Sequence, residues 1–362
     1  MWDSYDESMT LRLLDEANYD AEMESKVLPA LDACMTEGWM DPATVDWNGD
    51  ALPKLDEPGQ LHYCCYDAHA FDALREDGAS AAFRGAIVIS HGFTEFARKY
   101  SEMIWYFLLS GYSVCVLEHR GHGHSAHDMD NPSLVWIDDW RRYVADFATF
   151  TNIVARDYAC DKPLNLFCHS MGGGIGAAVL ERYPSLFDKA VLSAPMIAPV
   201  VGMPTWIARI ATGALCGLGF GKARVFGHTD FSPELDLDEH KGASEARVRW
   251  FHKQRVDDVA CQTNAATFEW AHQAMALSRA VLKPDMCGAI ETPTLLFQAG
   301  RDVWVLNGPQ DDFVERVREG GGSIEKIRYG KSLHEIFSMP NTVVGPYVNK
   351  ILDFLSAPAD SL

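Results

Sequence analysis

The chain has 362 residues, 48 % hydrophobic and 23 % charged, which is ordinary for a soluble globular protein whose core is large enough to need no disulfide or metal staple. Its 31 Lys and Arg against 51 Asp and Glu leave a net charge of −20, which argues against non-specific binding of nucleic acid or of an anionic membrane surface. There is no apolar run of membrane-spanning length, the first residues lack the basic and apolar regions of a secretory signal, and the 9 Cys fall at unpatterned spacings. A cytoplasmic protein with reduced thiols is therefore expected.

Residues 1–60 carry 15 acidic and 3 basic side chains. Met23, Val27, Leu31 and Cys34 recur at helical spacing. Pro29 is expected to break or kink that helix, because it lacks an amide hydrogen and crowds the preceding turn. Asn48-Gly49-Asp50 and Glu57-Pro58-Gly59 read as turns. The segment 1–60 is thus read as an acidic helical extension and a connection, either a solvated helix packed on the body or an acidic docking arm.

Strand-like runs follow at 61–66, 86–90, 113–118, 164–168, 189–193, 294–298 and 324–329, with helical stretches near 99–110, 139–157, 171–183, 308–319 and 343–355. Short apolar β-branched strands alternating with helices predict an α/β fold with a mostly parallel sheet covered by helices. One gap breaks the alternation. Residues 196–290 are far too many for an ordinary connection, typically about 2–6 residues, and contain helical candidates at 205–218, 243–256 and 264–282. They follow a strand's carboxyl end, the side on which α/β sheets bind ligands. The expected organisation is an α/β core of 61–195 and 291–362 with a helical cap of 196–290.

The string Leu164-Asn165-Leu166-Phe167-Cys168-His169-Ser170-Met171-Gly172-Gly173-Gly174 reads as strand, sharp turn, helix. The pattern G-x-S-x-G in that context places a serine on a strained turn with its hydroxyl above the sheet. Gly172 fits the pattern; Cys168 replaces its first glycine, and its side chain is expected to point away from the open face of the turn. A serine nucleophile needs a base held by a third group, in the chain order Ser, acid, His. Asp302 lies past the strand at 294–298. His334 lies past the strand at 324–329 and is the only His after His272. The oxyanion needs two amides. Met171, directly after the serine, is one candidate; Phe93, in the turn after the strand at 86–90, is the other.

The strings His91-Gly92-Phe93-Thr94-Glu95, Glu118-His119-Arg120-Gly121-His122-Gly123, His169-Ser170-Met171-Gly172-Gly173 and Leu192-Ser193-Ala194-Pro195-Met196 resemble those of the α/β-hydrolase superfamily. Within it they are similar to the lysophospholipase and monoacylglycerol-lipase-like serine hydrolases, over roughly residues 60–356. The resemblance implies an α/β-hydrolase fold, triad roles for Ser170, Asp302 and His334, and oxyanion roles for Phe93 and Met171. It also implies cleavage of fatty acyl esters of single-chain lipids without a cofactor, with Glu95 and the basic Lys99 near the alcohol side of the substrate. A short-chain esterase, a peptide-amide hydrolase and a non-catalytic binding protein remain as alternatives.

Two other signals are set aside. His122-Gly123-His124-Ser125-Ala126-His127 nearly copies a metal motif, but Ala126 stands where that motif needs Asp, and the resemblance implies a structural loop there; no metal is expected. Gly217-Leu218-Gly219-Phe220-Gly221-Lys222 has neither the spacing nor the Ser or Thr of a phosphate loop. Finally, residues 196–229 contain no Asp or Glu and carry Arg209, Lys222 and Arg224. Within them Trp206, Ile207, Ile210, Ala211, Ala214, Leu215 and Leu218 form one helical stripe. Such a stripe is either core or an interfacial element. The expectation is that Trp206 and Ile210 line the acyl entrance and touch lipid aggregates transiently.

Overall fold

The structure, a computed structural model, describes residues 11–73 and 81–358; the first ten residues of the acidic extension lie outside the described residues. Eight strands form the main sheet: β1 (Met35–Met40), β2 (Leu61–Tyr66), β3 (Gly85–Ser90), β4 (Tyr112–Leu117), β5 (Leu164–His169), β6 (Lys189–Ser193), β7 (Thr294–Ala299) and β8 (Ile324–Tyr329). Their spatial order is β1-β2-β4-β3-β5-β6-β7-β8. β2 runs antiparallel to both its neighbours, and every other pairing is parallel. β3, β4 and β5 are buried at every residue, so helices cover both faces and both side-chain rows must be apolar. The architecture is the α/β-hydrolase fold.

The register aligns the carboxyl ends that build the site. Ser90 of β3 pairs with Cys168 of β5, His169 with Ser193 of β6, and Ala299 of β7 with Tyr329 of β8. Five loops therefore leave the sheet along one edge.

Two features of the amino-terminal segment differ from the sequence reading. The helix does not break at Pro29. It runs as Tyr19–Glu22, a π-helical turn Met23–Val27, and Leu28–Cys34. The Leu28 amide reaches back five residues to the Met23 carbonyl, so the wider turn comes directly before the proline and the helix continues past it. Met23, Val27, Leu31 and Cys34 are all buried. The helix then leads straight into β1, which the sequence reading took as connection. This part of the acidic segment is built into the body.

The segment between β6 and β7 carries the helices Thr205–Leu215, Glu245–Asp257 and Phe268–Val281. The last of these packs on the helix Met171–Arg182 and so belongs to the helical layer over the sheet. A short parallel pair, Leu134–Val135 with Ala265–Ala266, joins its start to the loop after β4. The helix Glu245–Asp257 is fastened by Arg247. Its guanidinium donates to both oxygens of Glu102 at 2.8 and 2.6 Å, to the Met339 carbonyl at 3.0 Å and to Asn341 at 2.6 Å. The hydroxyls of Tyr19 and Tyr106 donate to the same carboxylate at 2.8 and 2.6 Å. One buried acid thus joins the amino-terminal helix, the helix Ser101–Leu109 and the insertion.

Removing one partner of a buried ion pair leaves the other charge uncompensated, at a cost of roughly 3–5 kcal/mol. Arg247→Met is expected to lower the unfolding free energy by that amount in urea titrations. A loss below about 1 kcal/mol, the range of an exposed pair, would show that the insertion is held by other contacts.

Candidate active site

Ser170 sits between the last residue of β5 and the first of the helix Met171–Arg182, at φ 52° and ψ −119°. A left-handed backbone at a residue with a Cβ stores about 1–3 kcal/mol of strain, so neighbouring bonds must hold it. The Ser170 amide donates to the Ser193 carbonyl at 3.2 Å, and its carbonyl accepts from Gly173 at 2.8 Å and Met196 at 2.7 Å. The glycines matter by close approach. A Cβ on Gly172 would collide with the Ser90 carbonyl, one on Gly173 would lie 2.5 Å from Pro195 Cβ, and one on Gly174 2.6 Å from the Met196 carbonyl.

Cys168 explains itself in the same terms. Its sulfur fills the space in front of Gly176, where a Cβ would collide with it. The glycine missing at the start of the motif is thus compensated one helical turn later. Burial pushes the Cys168 thiol well above its ordinary value, so no thiolate forms there near neutral pH.

His334 Nδ1 lies 2.6 Å from Asp302 Oδ2. The other carboxylate oxygen accepts the amides of Trp304 at 2.9 Å and Val305 at 3.0 Å. Burial pushes the Asp302 carboxyl up, but the bond to His334 and these amides outweigh it, and its pKa falls below the usual value. An ionised Asp302 fixes the proton on Nδ1 and leaves Nε2 as the basic nitrogen. Among the described residues, Ser170 Oγ and His334 Nε2 have no hydrogen-bond partner and are not bonded to each other; such bonds are often long until substrate is bound. Among the described residues the backbone amides of Phe93 and Met171 likewise have no protein acceptor. The Phe93 ring lies on Trp270 at 4.1 Å between centroids, and Met171, Met196, Trp270, Ile137 and Leu277 enclose a mostly apolar cavity of about 10 Å³, room for about one water.

Glu95 lies beneath this loop, 3 % exposed. Its carboxylate accepts the Gly92 amide at 2.6 Å, the Tyr100 hydroxyl at 2.5 Å and Lys99 Nζ at 2.7 Å. These bonds make it a brace of the turn that carries Phe93, and it does not line the apolar cavity described above. Lys99 also donates to Glu335 at 2.6 Å and stands 4.1 Å from the Phe251 ring centroid. Sequence reasoning missed Glu335; its place beside His334 was the available signal. Burial pushes the Glu335 carboxyl up, but Lys99 outweighs it and holds the group down to about 2. Burial lowers and Glu335 and Glu95 raise the Lys99 pKa, with a net rise. Burial drops His169, 3.5 Å from Glu95, to about 4, so it is neutral near pH 7.

Trp206 and Ile210 do not line the cavity. They are 64 % and 59 % exposed, because the buried face of their helix is Ala208 and Thr212, the latter bonded to His272 at 3.1 Å.

Lys99→Met strands two carboxylates, one of them fully buried, at an expected cost of roughly 3–5 kcal/mol in urea unfolding at pH 7. The Glu335 carboxyl is depressed in the folded state. Its contribution is therefore full above its unfolded value near 4.5 and is lost as pH falls toward about 2. The deficit of Lys99→Met should accordingly shrink below pH 4. A deficit independent of pH between 7 and 3 would show that packing, and not charge, is lost.

The model of the family described as "Serine aminopeptidase, S33" matches residues 81–341. Lysophospholipase L2 of Escherichia coli strain K12 is 28 % identical over 284 residues, 75 % of this chain and 80 % of its own. A monoacylglycerol lipase of Mycolicibacterium smegmatis is 35 % identical over 128 residues, 35 % of this chain and 44 % of its own. A soluble variant of Saccharomyces cerevisiae monoglyceride lipase, solved with a substrate analog, superposes with a TM-score of 0.62 at 18 % identity, over 88 % of this chain and 96 % of that one, a likeness of fold. Among the described residues no helix is long and apolar enough to cross a membrane. With its sheet order, its strained serine turn and a family match across 81–341, the chain belongs to the serine aminopeptidase S33 family of α/β-hydrolase serine hydrolases.

Proposed function

We propose that the protein hydrolyses fatty acyl esters of single-chain lipids, lysophospholipids or monoacylglycerols, through an acyl-serine intermediate. The observation that carries this reading is the 2.6 Å Asp302–His334 bond beside the strained Ser170 turn. Similarity to proteins named lysophospholipase and monoacylglycerol lipase supports the substrate class. Ser170 Oγ attacks the ester carbonyl carbon and gives its proton to His334 Nε2. Asp302 holds the ring and stabilises the imidazolium. The carbonyl electrons move onto oxygen, where the amides of Phe93 and Met171 donate, the latter at a helix start. The C–O bond to the alcohol breaks and His334 returns the proton to the leaving oxygen. Water then attacks the acyl carbon with His334 again as base, and the carboxylic acid leaves Ser170.

We further infer that the exposed face of the helix Thr205–Leu215 touches the substrate's aggregate. Trp206, Ile210, Leu218 and Phe220 are exposed on a stretch without acids. Val303 and Trp304, exposed beside Asp302, adjoin it through the bond from the Val200 amide to the Trp304 carbonyl, 2.8 Å. An apolar face flanked by cations suits a lipid–water interface, despite the acidity of the whole chain.

Ser170→Ala and Asp302→Asn are expected to fold normally and lose on the order of 10⁴ to 10⁶-fold in kcat on monooleoylglycerol or lysophosphatidylcholine. Ser170→Ala should also lose labelling by a fluorophosphonate, and Cys168→Ala should stay within about tenfold of wild type, or 1.4 kcal/mol. Near wild-type turnover by Ser170→Ala would refute the scheme.

The double variant Trp206→Ser, Ile210→Ser removes only exposed side chains, so its stability should change by no more than about 0.5 kcal/mol per site. Its activity on long-chain substrates above their aggregation point, and its co-sedimentation with phosphatidylcholine vesicles, should fall while p-nitrophenyl acetate hydrolysis stays unchanged. Equal loss on both substrates would mean that the helix is merely disordered by the change.

A further inference from the structure

A cavity of about 420 Å³, far larger than the one beside Met171, lies between β1, β2, the loop after β4 and the helix Glu245–Asp257. None of the groups assigned to ester hydrolysis lines it. On its wall the imidazoles of His62 and His124 face the carboxylate of Glu118, and their ligand atoms lie within 4.8 Å of one another. His62 Nδ1 is 2.9 Å from Glu118 Oε2, and His124 Nδ1 is 3.7 Å from the same oxygen. The far nitrogens also meet carboxylates. His124 Nε2 is 3.0 Å from Asp258 Oδ2, and His62 Nε2 is 3.6 Å from Glu37 Oε2.

Each ring needs either a second proton or a bound cation to meet both of its carboxylates. A neutral imidazole offers one N–H, so it can donate to one of its two carboxylates and sets a lone pair against the other. Three carboxylates would then share two rings. The cationic side chains on the wall are engaged elsewhere, Arg98 with Asp32 at 3.2 Å and Lys253 with Asp257 at 3.0 Å. A contrast lies in the group Glu95, His169 and Glu335, also within metal-ligating reach of one another, where the Lys99 ammonium supplies the positive charge. Among the described residues no ammonium does so at Glu118, and the positive charge there comes from imidazolium or from a bound cation. A divalent cation between the two Nδ1 atoms and Oε2 would let both rings stay neutral and turn their Nε2–H groups to Asp258 and Glu37, the usual backing of metal-bound histidine.

We propose that His62, Glu118 and His124 bind a first-row divalent metal ion of the Zn²⁺ class, with Asp258 and Glu37 as the carboxylates behind the two imidazoles. Two nitrogens and one carboxylate oxygen suit such an ion, and the fourth position opens on the cavity. Glu118 keeps its structural bonds, accepting the Ala97 amide at 2.9 Å on Oε1 and the His124 amide at 2.6 Å on Oε2. The ligands come from β2 and the loop after β4, and Asp258 from the insertion, so the ion joins the insertion to the sheet. The histidine string in the sequence supplies only His124 to this site. His119 and His122 are buried against His91 instead.

Calorimetric titration of the chelator-treated full chain with ZnCl₂ tests the site. Wild type and Ser170→Ala should each bind one ion, with a matching rise in Tm. His124→Ala, which removes a half-exposed ligand, should weaken binding by about 100-fold, Asp258→Asn by about tenfold, and the exposed His240→Ala not at all. X-ray absorption at the zinc edge should show nitrogen and oxygen ligands at about 2.0–2.1 Å. The proposal is overturned if wild type binds no Zn²⁺ tighter than about 1 mM, a free energy of only about 4.1 kcal/mol. It is equally overturned if His124→Ala and Asp258→Asn bind as wild type does, or if sulfur ligands at about 2.3 Å place the ion on thiols.

Discussion

A buried ammonium organises the site. Lys99 Nζ is held between Glu95 and Glu335, its side chain 3 % exposed. Taking an isolated ammonium out of water costs several kcal/mol, so it stays charged only where carboxylates surround it. Three residues that meet here are next in sequence to groups assigned to the chemistry. Gly92, bonded to Glu95, precedes Phe93; His169, 3.5 Å from Glu95, precedes Ser170; Glu335 follows His334. Three loops from β3, β5 and β8 are thereby fixed relative to one another by their neighbours, while the reacting side chains and amides stay unencumbered. Such preorganisation is what oxyanion stabilisation and proton transfer require.

The strained serine follows from the same economy of space. A helix can start directly on the end of β5 only if its first turn passes within contact of β3 and of the loop after β6. Gly172, Gly173 and Gly174 permit that approach. Cys168 shows that the first glycine of the motif answers a volume constraint, which Gly176 can meet from the opposite side.

The parts legible in the sequence are those fixed by local pattern. β2, β6 and β8 fall at the residues their composition indicates: β6 is a buried parallel strand and writes an apolar run, while antiparallel β2 and edge strand β8 are set off by the turn residues before them, Pro58-Gly59 and Gly320-Gly321-Gly322. β1 was not legible: Met35-Thr36-Glu37-Gly38-Trp39-Met40 follows the helix directly with no turn residue to set it off, carries a glycine within it and buries only Met40. The amino-terminal helix was legible from Met23, Val27, Leu31 and Cys34, but its unbroken passage past Pro29 was not, since a π-helical turn is a tertiary accommodation without a sequence code. The part played by Glu95 was obscured by distance, for its cluster partner Glu335 lies 240 residues on. The histidine string was set aside on Ala126 and on the family resemblance, and the nearness of His62 to Glu118 and His124 had no signal in the sequence, because His62 lies on a separate strand about 60 residues away.

The size of the cavity beside Met171 constrains how a lipid could be hydrolysed. A space of about 10 Å³ admits a water molecule and no acyl chain, and Ser170 and His334 are each 9 % exposed. An acyl chain does not fit that space, which Ile137, Trp140, Met171, Met196 and Trp270 line. The core below it is a poor candidate for movement, because the Lys99 cluster and the Arg247–Glu102 pair are buried and closely bonded. The segment 196–229 is different. It has few buried side chains after Ala198, and Gly202, Gly219 and Gly227 adopt positive φ with open space around them, which places it at the low-stability end of the molecule. Its exposed apolar face gains most where water is replaced by lipid. The proposed contact of this face with an aggregate thus falls on the part of the chain with the fewest buried side chains, while the groups around Ser170 stay held by the Lys99 cluster.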